Sequence, residues 1–333
     1  MTDLPPAGWY DDPTSPVQER WWDGEKWSEQ IRRKERGLKQ RRQGELRDLG
    51  DFLGHTFSLI RARWDDFLLV SVVAGILLAL LAVAVVRPII VAIDIVNDEL
   101  VGWGATQTWQ VLIFVGVSIL IYVVASMAHH RLAWDAATDT PGGWAAALQF
   151  GIAAAPRMLG WAFIGILPIL GGFLLFIVLA RSAVGLGVLS GLAVGGAALW
   201  WAIVIALIPI ALVVQRRGAN PILGAWSTVR GRWWAVFGRI LLIQFLVGLV
   251  VQVVGALVGQ VVGAGFFGID VVDAGNGRFE IVKDLGSHLD FFMTTAVFSV
   301  LSIATNIGQV TGIASIAYDV MEREDSPSVD TGH

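Results

Sequence analysis

Six apolar runs that contain no Asp, Glu, Lys, Arg or His constrain this 333-residue chain more than any other feature: Phe67 to Val86, Thr108 to Ala128, Met158 to Ala180, Gly187 to Val214, Ile240 to Val262 and Phe291 to Ala317. The hydrocarbon core of a bilayer is about 30 Å thick and takes about 20 helical residues to cross. Lipid offers no partner to backbone N–H and C=O groups, so a run of this kind must close its hydrogen bonds within a helix. Composition points the same way, with 55% hydrophobic residues, 16% charged residues and a mean hydropathy of +0.64. The predicted fold class is an all-α polytopic membrane protein with six transmembrane helices, accompanied by interfacial amphipathic helices and a small N-terminal β module. Between the third run and the fourth only Arg181-Ser182 is polar, which makes that boundary the least marked.

Six crossings place residues 1–66, 129–157, 215–239 and 318–333 on one side. That side holds 20 of the 24 Lys and Arg and leaves Arg87, Arg181, Arg278 and Lys283 for the other. Cationic loops stay in the cytoplasm, so both termini are expected there. The first forty residues hold no apolar core of signal-peptide length, which agrees. With no Cys in the chain, disulfides, thiolate metal sites and Cys nucleophiles are excluded.

Amphipathic segments precede some of the runs. In Asn220–Gly263, Ile222, Trp226, Val229 and Trp233 recur at four-three-four spacing, so one helical face is apolar while Arg230 and Arg232 point elsewhere. This segment is predicted to lie in the interface and to run straight into the fifth span. Leu46, Leu49, Leu53, Phe57, Ile60 and Trp64 make a similar face before the first span. Without gaps, FSLIRARW (Phe57 to Trp64) aligns with WSTVRGRW (Trp226 to Trp233), sharing Ser, Arg, Arg and Trp, which points to an internal repeat. A third segment begins at Thr140-Pro141 much as the other begins at Asn220-Pro221, with Thr as the expected cap.

Residues 1–31 form a Trp-rich unit of their own. Gly8-Trp9-Tyr10 reads as a short strand, and Asp23-Gly24 suits a hairpin turn between Arg20-Trp21-Trp22 and Lys26-Trp27. So small a fold buries little, so Trp9, Tyr10, Trp21, Trp22 and Trp27 are read either as its miniature core or as a partner-binding face. The pattern GWYDDP followed by RWWDGEKW resembles a short bacterial domain of unknown function, commonly set beside membrane segments. The opening LPPAGW is also similar, less closely, to WW domains, whose Trp-x-x-Pro ending is absent. Taken with the six apolar runs, the bacterial resemblance leads to the expectation of a multi-pass protein of the bacterial plasma membrane. Residues 32–47 form a basic linker, whose Lys and Arg are each attracted to anionic headgroups by about 1 kcal/mol. Lipid contact, not nucleic-acid binding, is expected of it. The six-span domain is bounded at 48–318, and 319–333 form an acidic tail.

Within the membrane, Gly255, Gly259 and Gly263 of the fifth span and Gly187, Gly191 and Gly195 of the fourth are predicted packing seams. Pro168 and Pro209 should kink their helices. Thr295, Ser299, Ser302, Asn306 and Gln309 align on one face of the sixth span over four turns. That face should avoid lipid, either through hydrogen bonds to Gln244 or Gln252 of the fifth span or by lining a polar pathway. The spans hold no ionisable residue of the kind that marks ion or proton routes. His129-His130 is expected in the headgroup region at the inner mouth of the second span. Outside, Asn276-Gly277 between alternating apolar residues suggests a hairpin, and the acidic loops with His288 lack the spacing of a metal loop.

STVRGRWWAVFG followed by a Gly-rich span is similar to the membrane domain attached to bacterial glycerophosphodiester phosphodiesterases, over roughly residues 46–318. The barrel that carries chemistry in those enzymes is absent, and His130-Arg131 is followed by Leu132. The resemblance therefore implies membrane architecture without hydrolysis. No phosphate loop, His-Glu-x-x-His or GxSxG is present either. The expected role is a non-enzymatic membrane scaffold or accessory protein without cofactors. Its expected partners are membrane lipids and a cytoplasmic or membrane protein; the alternative is a transporter or lipid-handling protein using the sixth-span polar face.

Overall fold

The computed structural model describes residues 8–11, 18–23, 25–33, 46–92, 94–96, 99–101, 104–182, 184–214, 220–263, 268–275, 278–284 and 287–321. The chain divides into two compact units, Met1–Glu45 and Leu46–His333. The first holds an antiparallel sheet in the order β1 (Gly8–Asp11), β2 (Gln18–Trp22) and β3 (Trp27–Arg33). Trp9 pairs with Trp21 and Trp22 with Trp27, with an irregularity between Arg20 and Trp22.

The second unit has ten helices among its described residues: α1 (Leu49–Ala62), α2 (Trp64–Leu81), α3 (Arg87–Ala92), α4 (Ala105–Ala137), α5 (Trp144–Ser182), α6 (Val184–Val214), α7 (Pro221–Val229), α8 (Trp233–Gly263), α9 (His288–Ala304) and α10 (Asn306–Met321). Among the described residues, six stretches are long and apolar enough to cross a membrane. A π-helical turn, Ala82–Val86, joins α2 to α3. Pro88 explains it: lacking an N–H and crowding the preceding turn, it loosens the helix, and the Arg87 amide bonds back to the Ala82 carbonyl. The sixth span divides at Thr305 into α9 and α10. Pro168 and Pro209 lie inside helices, as does Pro156.

The segments before the first and fifth spans are separate helices and do not run on into the spans. α1 ends at Arg63, α7 ends at Arg230, and the next helices start at Trp64 and Trp233. The following helices start at aligned positions of the repeat, Trp64 and Trp233, while α7 ends two residues earlier than α1. The turns differ because Gly231 takes φ +77°, a left-handed conformation that Ala62 does not adopt. The third segment is continuous with its span in α5, which at 39 residues is about 58 Å long, far more than a bilayer core needs. Thr140 is not its cap. The Trp144 amide donates to Oδ1 of Asp66 at 2.9 Å, so the first turn of α5 is satisfied from α2. Asn220 does cap α7, accepting from the Ile222 and Leu223 amides.

Helix contacts reveal a three-part cycle. Each entry segment packs on the returning span of the unit before it: α1 on α10, the start of α5 on α4, and α7 on α6. The three returning spans, α4, α6 and α10, touch one another and form the core. Residues 207–212 and 310–317 are buried without interruption. The outgoing spans α2, α5 and α8 surround them, and each of these helices opens with a Trp: Trp64, Trp144 and Trp233. Amphipathic indoles favour the membrane interface, so the three mark one level at the α1 end of the bundle. Repeat positions share burial too, Phe52, Thr56 and Leu59 of α1 matching Pro221, Ala225 and Thr228 of α7. At the far end, β4 (Asp94–Val96) pairs with β5 (Glu99–Val101), and β6 (Gly268–Gly275) pairs with β7 (Arg278–Asp284) across the predicted Asn276-Gly277 turn. The turn residues themselves lie outside the described residues.

Close helix contacts occur at glycines other than those predicted. A Cβ on Gly75 would lie 2.8 Å from the Val300 amide nitrogen of α9, and one on Gly151 would strike the Val124 carbonyl of α4. Gly308 and Gly312 of α10 face Val247 and Ile243 of α8, whose side chains would stand only 2.5 and 2.9 Å from an added Cβ. Of the predicted seams, Gly191 meets Phe176, while Gly195 and Gly255 face open space. The side chains at 187, 259 and 263 lie outside the described residues.

Candidate functional site

Three regions bear on function, and the first is the Trp-rich sheet. Asp23 shapes its β2–β3 turn by accepting from the Glu25 and Lys26 amides, both at 2.8 Å. The Lys26 and then the Glu25 amide hold this exposed carboxyl below the usual carboxylate range. Tyr10, Trp22 and Trp27 meet edge to face, with centroids 6.4 Å apart for Tyr10–Trp27 and 5.2 Å for Trp22–Trp27. Trp21 and Trp22 are half-buried and Trp27 is exposed. The aromatics are thus partly a core and partly a surface. The Trp9 side chain lies outside the described residues.

The second region is the polar face of the sixth span, whose members separate into different environments. Thr295 donates to its own helix at the Phe291 carbonyl, and Asn306 donates to Ser126 Oγ of α4 at 3.3 Å. Gln309 sits in the α8–α10 contact beside Arg239 and Gly312. Ser299 is half-buried, and Ser302 is exposed on a groove. The predicted partners Gln244 and Gln252 are both exposed, so the amide of Asn306 is satisfied by the second span and not the fifth.

His129 and His130 do not sit among headgroups: both are buried in the bundle, because α4 continues two turns past the predicted end of its span. His129 Nε2 lies 3.3 Å from both Ser71 Oγ and the Phe67 carbonyl, and His130 Nδ1 lies 2.8 Å from the Ser126 carbonyl.

A polar belt at the α1 end has no counterpart among the predicted sites. Arg47 pairs with Asp319 of α10 at 3.0 Å, and Arg239 of α8 donates to the Arg47 carbonyl. His55 Nδ1 lies 2.8 Å from Ser315 Oγ. Burial first, then the Arg47 guanidinium, pushes the imidazole pKa down to about 4, against a pull from Asp319. Arg63 donates to the Thr140 and Gly142 carbonyls and pairs with Asp66 at 3.4 Å. The sequence does carry a sign of part of it: Leu132-Ala133-Trp134-Asp135 and Ile316-Ala317-Tyr318-Asp319 occupy matching places at the ends of α4 and α10, with both Asp buried. Trp134 and Tyr318 lie 6.4 Å apart between them.

The third region is a groove of about 750 Å³ between α8 and α9–α10, with α1 at its foot. α8 packs closely on α10 and diverges from α9, and the gap is lined almost wholly by apolar side chains. Among the described residues no three His, Asp or Glu gather to hold a metal. His288 lies 3.0 Å from Arg87, and Asp290 closes a capping box with Ser287 at the start of α9.

Residues 7–39 match the family described as "Protein of unknown function (DUF2510)". DUF2510 thus covers the Trp-rich sheet and the start of the basic linker, in keeping with the likeness of GWYDDP and RWWDGEKW to such a domain. No curated protein and no solved structure matches the chain. Nothing in these comparisons supports the expected similarity of 46–318 to the phosphodiesterase membrane domain.

Proposed function

We propose that the chain is a non-enzymatic accessory protein of the bacterial plasma membrane, with both termini in the cytoplasm. The six-span unit is the anchor. The DUF2510 unit recruits a cytoplasmic protein, and the linker at 32–47 rests on anionic headgroups. The observation that carries this reading is the aromatic trio Tyr10, Trp22 and Trp27, which leaves the Trp27 ring exposed on a sheet that needs every aromatic it can bury. The test is a crosslinking pull-down from native membranes with the full chain, the chain lacking 1–31, and Trp27→Ala. Both changes should release the same captured protein. Unchanged capture by the truncated chain would remove the recruiting role.

A second reading is lipid handling by the membrane unit, and the groove beside Ser302 favours it. A polar route along the whole sixth-span face is not favoured, because Asn306 is engaged with Ser126 and Gln309 is half-buried at the α8–α10 contact. Leu at both positions would abolish flux without loss of fold if they line a route, whereas failed assembly would assign them to packing.

A further inference from the structure

The groove between α8 and α9–α10 has a depth that can be read from the residues around it. Arg239 and Asp319 both contact Arg47, so they mark one level at the α1 end on α8 and α10. Counting 1.5 Å per helical residue, Gln252 lies about 20 Å beyond Arg239, while Thr305 and Ser302 lie about 21 and 25 Å before Asp319. In a core about 30 Å thick, these three polar lining residues fall in the half of the membrane away from α1. Between that level and α1 the lining is apolar, including Ile243, Leu246 and Val250. The foot is crossed by Thr56, Phe57 and Ile60 of α1, an entry helix at the interface.

That shape selects its occupant. A helix crossing the whole membrane would collide with α1, so the groove suits something that enters from one leaflet and stops short of the other. We propose that it binds a phospholipid of the leaflet opposite α1. The lipid sits drawn into the groove by about 5–10 Å, so that the Gln252 amide and Ser302 hydroxyl, below the ordinary ester level, donate to its ester carbonyls, and one acyl chain runs toward α1 along Val250, Leu246 and Ile243. This site rests on the lipid-handling reading and gives it a ligand class and a position.

The full-length protein, reconstituted in phosphatidylglycerol and phosphatidylcholine vesicles, is photolabelled with a phospholipid carrying a diazirine near the end of its acyl chain. Label should concentrate on the Ile243–Val250 stretch and on Phe57, above the level at Leu192, a lipid-facing reference on α6. Gln252→Leu with Ser302→Ala should lower groove labelling about tenfold, as expected for two lost hydrogen bonds. Gly255→Phe fills the groove from a position where an added Cβ meets nothing within 4 Å, and it should abolish the signal while circular dichroism and oligomeric state hold. Labelling that is even around the bundle, that is indifferent to both variants, or that is replaced by crosslinks to a second protein chain, overturns the site. Lipid transfer between leaflets is measured on the same samples. Specific label without transfer keeps the site and removes lipid handling, and transfer that survives Gly255→Phe while the label is lost keeps the site and the handling but places the transfer route elsewhere.

Discussion

At the scale of single residues, Gly308 and Gly312 let α8 approach the core, because lipid supplies no hydrophobic force to bring two apolar helices together and close packing must do so. Gly308→Leu would drive a side chain into Val247, which leaves only 2.5 Å for a Cβ. Overpacking of this kind costs about 1–3 kcal/mol and should lower the melting temperature in detergent, while Gly248→Leu, facing open space, should not. The Gly-x-x-x-Gly spacing of 308 and 312 stands in the sequence, but periodicity cannot tell a seam from a lipid-facing stripe, and the longer stripe at 255–263 is the more conspicuous of the two. Asp319 is a harder case. It is buried at the end of a span and faces Arg47, 272 residues away in the chain, so the pair is visible only in the fold. Asp319→Asn leaves the Arg47 charge partly buried without its carboxylate, and losses from broken buried pairs run to about 3–5 kcal/mol. His55 adds a pH dependence to the same belt. Its folded pKa of about 4 lies below the ordinary 6.5, so the unfolded chain binds the proton first as pH falls. Stability from this group is complete above pH 6.5 and is lost progressively between 6.5 and 4. Melting temperatures between about pH 7.5 and 4.5 should show that loss, and His55→Gln should flatten it.

At the scale of elements, apolar length identifies every span, because a helix in lipid has few alternatives. The ends are harder to read. α4 runs on to Ala137 through His129 and His130, since neighbouring helices and not lipid surround its last turns. Charge-free length marks the hydrocarbon limits but cannot report where protein continues to shield a helix. The amphipathic face of α1 is legible in its spacing, but spacing alone gives it the wrong neighbour. Phe52, Thr56 and Leu59 face the bundle, while Phe57 and Trp64 of the predicted stripe are 58% and 60% exposed. Two adjacent faces, one for protein and one for lipid, are what an interfacial helix requires. Caps are legible only where they are local. Asn220 caps α7 as its Asn-Pro start suggests, and Asn220→Ala should cost about 1 kcal/mol. Trp144 instead takes its partner from Asp66, so Asp66→Ala should unfasten both the start of α5 and Arg63. Amide exchange at 144–147 would report this, with faster exchange expected in Asp66→Ala and unchanged exchange at 221–225.

At the scale of the molecule, the eight-residue match between α1 and α7 is the visible part of a larger order. Three units, each an entry segment followed by an outgoing and a returning span, close in a cycle around α4, α6 and α10. The third unit is hard to recognise in the sequence because its entry segment carries Pro156 inside α5 and has no Arg-x-Arg-Trp break. The cycle is uneven: α2 packs on α9 and α5 on α4, but α8 is held chiefly by α10, which leaves the groove beside it. The central claim, six crossings with the α1 end facing the cytoplasm, can be tested directly because the chain contains no Cys of its own. Single Cys variants at Ser28, Ser58 and Asn220 for one end and at Gly104 and Ser287 for the other would be treated in intact cells with a membrane-impermeant maleimide. The account predicts labelling of 104 and 287 alone, with 28, 58 and 220 reacting only after the membrane is opened. Labelling of Ser28→Cys from outside, or of 220 and 287 from the same side, would contradict it.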